Sequence, residues 1–221
     1  MRRTIMAVLA GGALALWLWL DTPADTVPDT PSRDGYFVLA LSWTPSWCAA
    51  EGHARGDARC ATGAGAGWLV HGLWPQHDDG GWPEFCDTHH AAPTGELIRS
   101  MVDIMGSEGL ARHQWNKHGR CAGLSAEAYF AQTRTAFEAL SFPDSLRARG
   151  SALRLSPLAM LAAFGNANPV IGPDMATVTC RNGNAQEIRL CLDHDLNPRA
   201  CDAALLSRAC RSRVVTLPAK P

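Results

Sequence analysis

Two short stretches gather the residues that could do chemistry: WLVHGLWPQ, residues 68–76, and ARHQWNKHGRC, residues 111–121. Between them they hold His71, His113, Lys117 and His118. Imidazole takes up and releases protons near neutrality, and an ammonium group can hold charge on a phosphoryl oxygen. The set therefore suits acid/base chemistry on a phosphate ester. Zinc is a poorer match, because His113 and His118 stand five residues apart without an HExxH pattern and no C-x-x-C pair occurs.

Secondary structure must bring the two stretches together. If the second is helical, at about 100° per residue His113, Lys117, Gln114 and His118 fall near 0°, 40°, 100° and 140°, one polar face. Trp115 and Asn116 fall outside it, and Cys121 falls inside, where a disulfide could fix the helix to the element opposite. The first stretch is rich in aromatic and β-branched residues around Trp68, Val70 and His71, which predicts a strand ending at Leu73-Trp74-Pro75, where proline cannot donate to a ladder. His71 on a strand facing two histidines on a helix makes an acid/base pair around one phosphate. Trp74 and Gln76 could stack on and hydrogen-bond a neighbouring nucleobase, while composition alone equally allows Trp74 in a core.

HGLWPQ and HQWNKHGRC resemble the two active-site segments of the ribonuclease T2 family of acid ribonucleases. The likeness extends through YFVLALSWTPSWC ahead of the first motif to the late cysteine cluster, roughly residues 35–210. It implies an α+β fold, with a central antiparallel β-sheet flanked by helices, and an endoribonuclease that cleaves single-stranded RNA through a 2′,3′-cyclic phosphate. It also implies low base specificity and no metal or other cofactor. By position, His118 resembles the family's general base and His71 its general acid, with His113 and Lys117 on the phosphate. Gln114 departs from the family's glutamate: an amide can donate and accept hydrogen bonds but carries no charge and shuttles no proton. DNA lacks the 2′-hydroxyl nucleophile, so DNA cleavage is not expected. One competing reading is an RNA-binding or ribotoxic protein whose catalysis Gln114 has weakened; another is a metal-dependent phosphodiesterase.

Eight cysteines, an even number, fit an oxidising compartment, and sequence alone allows 105 pairings. The resemblance narrows these to Cys48-Cys60, Cys86-Cys121, Cys180-Cys210 and Cys191-Cys201. Arg2 and Arg3 followed by an apolar run to Leu20 read as a signal peptide or N-terminal anchor over residues 1–20. Residues 21–34, rich in Pro, Asp and Thr, read as a disordered spacer, and 35–215 as a single domain. The expected location is extracytoplasmic, periplasmic or secreted, with a retained membrane anchor as the alternative. The formal charge is −1, and loss of residues 1–20 leaves 18 basic against 21 acidic residues. With no global basic footprint, RNA affinity must come from local groups in a cleft. A monomer with no obligatory protein partner is expected.

The remainder reads as scaffold. Residues 97–105, 126–140 and 156–164 are predicted helices, the last with a Ser156 cap and Pro157 at its first position. Residues 175–180 and 186–192 are predicted strands joined across Asn182-Gly183, a hairpin signal. Asn166, Asn168 and Pro169 read as an ordinary turn, although they could border the cleft. His53, His77, His89, His90 and His194 read as surface residues, and residues 63–67 as a loop.

Overall fold

The structure, a computed structural model, describes residues 35–64 and 67–220. The expected export segment (1–20), the spacer (21–34) and part of the 63–67 tract lie outside the described residues. Tyr36–Trp43 forms strand β1, an aromatic and aliphatic run buried on both faces. Phe37, Leu39, Leu41 and Trp43 point into the main core, while Tyr36 and Val38 join a smaller cluster with Cys191, Cys201 and Leu205. Trp68–Gln76 is β2, Leu153–Leu155 β3, Ala176–Arg181 β4, Asn184–Leu192 β5 and Val215–Leu217 β6. The sheet order is β2-β1-β5-β6-β3, with β4 also paired to β5. Every pairing is antiparallel except the single parallel contact of Asn184 with Thr216.

Two features of β2 depart from the sequence reading. The strand runs through Pro75, opposite Phe37, rather than stopping there. It is an edge strand, where a proline can turn its donor-less nitrogen away from the ladder. The register also slips: Ala40 faces Gly72 and Leu41 faces Val70, leaving His71 as the extra residue of a β-bulge. Such a bulge re-aims a side chain while the strand on either side keeps its inward face. Here Trp68 and Val70 before it, and Leu73 after it, all enter the main core.

Most of the helices pack on the main-core side, while the last, carrying Leu205, joins the smaller cluster. Thr44–Trp47 is α1, Gly95–Ser100 α2, Val102–Met105 α3, Glu108–Lys117 α4, Ala126–Glu138 α5, Pro157–Ala167 α6 and Ala203–Leu206 α7. The helix expected over 97–105 is broken at buried Met101, and α3 ends at Gly106, whose φ of 84° suits only the left-handed cap that glycine takes readily. Ser107, Ser125 and Ser156 each accept a backbone N–H at the start of α4, α5 and α6. The β4–β5 hairpin turns on Asn182 and Gly183 at φ of 52° and 78°, the two positive values its two-residue loop requires. Asn168 is structural: its amide joins Ser141 to Phe164 at the end of α6.

Four disulfides join Cys48 to Cys60, Cys86 to Cys121, Cys180 to Cys210 and Cys191 to Cys201, the pairs the resemblance implies. His53, His77 and His89 are exposed and His90 is half-buried. His194 is not a plain surface residue. It is half-buried edge-on to Phe37 at 5.3 Å, within a turn that Asp193 holds through the N–H groups of Asp195 and Asn197.

Candidate active site

The sheet face turned away from the main core carries Gly72 and Trp74 from β2 and Glu187 and Arg189 from β5, and the end of α4 closes over it. This helix stops at Lys117, so His118 is its cap residue at φ −122° and ψ −44°, and Cys121 ends a following 3-10 turn. The regular 100° arithmetic therefore does not reach either residue. It does hold inside the helix, where Trp115 points the opposite way into the core against Tyr129 and Phe130. Gly119 lets the turn settle on Trp115, since a Cβ there would lie 2.5 Å from the indole.

Trp74 stands at the centre. Its Nε1 donates to Gln114 Oε1 at 2.8 Å, and its ring lies 5.2 Å edge-on from His71 and 5.4 Å from His118. The Arg189 guanidinium sits 5.1 Å from the same ring. The indole thus braces the two imidazoles apart, and it also packs on the small cluster around Tyr36 and Val38. Gly72 makes the arrangement possible, because a Cβ there would fall 2.0 Å from Gln114 Oε1 and 2.4 Å from Trp74 Nε1. Tyr129 ties β2 to α5 by donating its hydroxyl to Leu73 O at 2.9 Å.

The two histidines sit in opposite surroundings. His118 is 5% exposed, and its Nδ1 is enclosed without a hydrogen-bond partner. Burial, followed by the charges of Lys117 and His71, lowers its pKa to about 4 against a weaker opposing pull from Glu84. It is therefore neutral above about pH 4. His71 instead has its Nδ1 2.6 Å from Glu187 Oε1. Glu187 is 7% exposed; burial pushes its carboxyl up, but the hydrogen bond and charge of His71 and the charge of Arg189 outweigh this and keep it ionised.

His71, Trp74, Gln76, His113, Gln114, Lys117 and His118, every site residue expected from the sequence, line one cavity of about 230 Å³. Gln76 is buried there, with its Nε2 donating to Pro75 O at 2.8 Å. Trp82, Arg189, Leu205 and Arg208 complete the lining. A larger groove of about 730 Å³ shares His71 and His113 with this cavity and is lined also by Ser42, Trp47, Arg59 and Arg181. By contrast, the apolar cavity of about 470 Å³ beside α6, bordered by Asn166 and Pro169, has no titratable side chain in its lining.

Sequence reasoning missed Glu187, Arg189 and Glu84. For the first two a signal existed: Glu187 and Arg189 alternate with Ile188 and Leu190, so one face of a strand is charged while the other enters the core. Glu84, 3.3 Å from Lys117 Nζ, lies on an irregular loop brought in by the neighbouring Cys86–Cys121 disulfide, and no local pattern marks it.

The sequence profile of the Ribonuclease T2 family matches residues 34–201. A "Probable ribonuclease" of Haemophilus influenzae is 35% identical over 125 residues, 52% of this chain and 46% of that protein. The chain thus spans about half of that relative's length. A "Ribonuclease" of Aeromonas hydrophila is 29% identical over 168 residues, 76% of this chain and 74% of its own. Among solved structures, trichomaglin, described as an S-like ribonuclease, superposes with a TM-score of 0.66 at 22% identity, covering 85% of this chain and 99% of that one. An RNase-related protein from Calystegia sepium gives 0.63 at 20%, covering 85% and 98%. At such identities the structures establish a shared α+β fold.

Proposed function

The chain belongs to the ribonuclease T2 family, and we propose that it is an endoribonuclease that cleaves single-stranded RNA by transphosphorylation through a 2′,3′-cyclic phosphate. The observation that carries this reading is the asymmetry of two imidazoles beside one cavity: His118 neutral and enclosed, His71 held on a buried carboxylate. Neutral His118 takes the proton of the ribose 2′-hydroxyl as the oxygen attacks phosphorus. His71, with Nδ1 engaged, gives a proton from Nε2 to the departing 5′-oxygen. His113 and Lys117 hold charge on the phosphoryl oxygens, and for this Lys117 exchanges its exposed Glu84 partner for phosphate. The cavity and the groove that share His71 suit a strand that extends beyond the scissile bond.

Trp74 and Gln76 are assigned to the base side of the cavity, with little discrimination among bases. DNA is not cut, because the attacking 2′-hydroxyl is absent. Each role in the reaction is filled by a side chain, so turnover needs no metal. We further assign the protein to an extracytoplasmic compartment, periplasmic or secreted, acting as a monomer without an obligatory partner. The four disulfides support the oxidising location. Among the described residues no helix is long and apolar enough to cross a membrane.

The test is incubation of purified protein with single-stranded RNA in EDTA, with the ends of the fragments analysed. Cyclic-phosphate ends are expected. Retention of RNA without cleavage would favour an RNA-binding protein disabled at Gln114, and loss of cleavage on chelation alone would favour a metal-dependent phosphodiesterase.

A further inference from the structure

We propose that Glu187 is the positioning residue of the proton donor, a carboxylate delivered from β5 that dictates which ring nitrogen of His71 faces the leaving group. The inference rests on the ribonuclease reading above and adds a residue to it. His71 and Glu187 are on strands that do not touch, since β1 runs between them. Two features let them meet. The bulge makes His71 the unpaired residue of β2, and the β1 residues that intervene on this face are small: Ala40, between Gly72 and Arg189, and Ser42, between Leu69 and Glu187.

The carboxylate is fixed at both oxygens. Oε1 meets His71 Nδ1 and accepts from Ser42 Oγ at 3.3 Å, while Oε2 accepts from Arg189 Nε and Nη2 at 2.9 and 2.7 Å. An ionised carboxylate only accepts hydrogen bonds, so Nδ1 must carry a proton, and Nε2 is the nitrogen left to exchange one with substrate. Glu187 touches no reacting atom. It acts through His71, as a countercharge to the imidazolium and a stop on ring rotation. The other titratable groups that line the cavity with His71 are Arg189 from β5, His113, Lys117 and His118 from α4 and its cap, and Arg208 beyond α7, all of them basic side chains. In the lining of the groove Asp57 pairs with Arg59, and Glu51 pairs with Arg55 and Arg181. With Gln114 uncharged, Glu187 supplies the negative charge in direct contact with a site imidazole.

The experiment compares wild type with Glu187→Gln and Glu187→Asp in kcat/KM against pH on a dinucleotide substrate. Heteronuclear NMR of the wild-type imidazoles is run alongside, which needs no variant to fold. Glu187→Gln is expected to lower kcat ~10-fold or more with KM little changed. It should also move the basic limb to lower pH and leave the acidic limb in place, with Glu187→Asp recovering part of the loss. In the wild type, neutral His71 should hold its proton on Nδ1. A basic limb that stays put in a folded Glu187→Gln protein, or a neutral His71 protonated on Nε2, would overturn the positioning role. If the wild-type protein forms no cyclic phosphate from the dinucleotide, the ribonuclease reading fails instead, so the two failures are distinct.

Discussion

The indole N–H of Trp74 reaches Gln114 Oε1 at 2.8 Å by passing directly over the bare Cα of Gly72. A methyl group at Gly72 would occupy that path. Gly72→Ala is therefore expected to displace Gln114 and Trp74 together, costing about 1–3 kcal/mol of stability as overpacking does. It should also lower kcat by loosening the brace between the imidazoles. Thermal melting and steady-state kinetics on the same preparation check this; unchanged values in both would mean that the contact has no role.

Gln114→Glu should return a negative charge to the buried wall beside His118. A nearby anion favours the imidazolium, so the pKa of His118, now about 4, should rise and the acidic limb of kcat/KM should move to higher pH. Maximal turnover is also expected to increase, because a carboxylate stabilises charge in the transition state better than an amide. Profiles of the two proteins side by side decide it. A limb that stays or moves down in pH would show that this position is not coupled to the base.

His118 also links stability to pH. Its folded value lies below the ordinary imidazole value of 6.5, so the unfolded chain binds the proton more readily. The resulting stability is complete above about pH 6.5 and is lost as pH falls towards 4. Between these values His118→Phe should therefore lose less melting temperature than the wild type. Parallel losses in that window would mean that His118 titrates normally in the fold.

How much of this was legible in the sequence follows from chain distance. His71, Trp74, His113, Lys117 and His118 were readable because each motif is local and its residue types imply a task. Asn182-Gly183 announced its hairpin because few other dipeptides tolerate two positive φ values. The β-bulge at His71 was not legible, since it is a property of the register between β1 and β2 and leaves no mark on β2 alone. Glu187 was hidden for a similar reason: it lies 116 residues from His71 and meets it only across β1. Pro75 misled because the rule that proline ends a strand holds for strands paired on both sides, and β2 is an edge.

The Cys86–Cys121 disulfide joins the loop carrying Trp82 and Glu84 to the turn after His118. The Cys86→Ala/Cys121→Ala double variant is expected to lose about 2–4 kcal/mol of stability. Its KM for RNA should rise more than its kcat falls, because the loop carries cavity residues while His71 stays on the sheet. Non-reducing peptide mapping of the wild type should recover the two cysteines in one linked fragment, and free thiols at both would remove the premise.

The central claim, that His118 is the base and His71 the acid, is tested most directly by changing the leaving group. Wild type, His71→Ala and His118→Ala should be compared on an RNA dinucleotide and on a ribonucleoside 3′-phosphodiester whose nitrophenolate leaving group needs no proton. On the dinucleotide both variants should lose at least ~10² in kcat. On the activated ester His71→Ala should regain most of its rate while His118→Ala stays slow. Equal losses for both variants on both substrates, or near-normal turnover in either variant on the dinucleotide, would contradict the assignment.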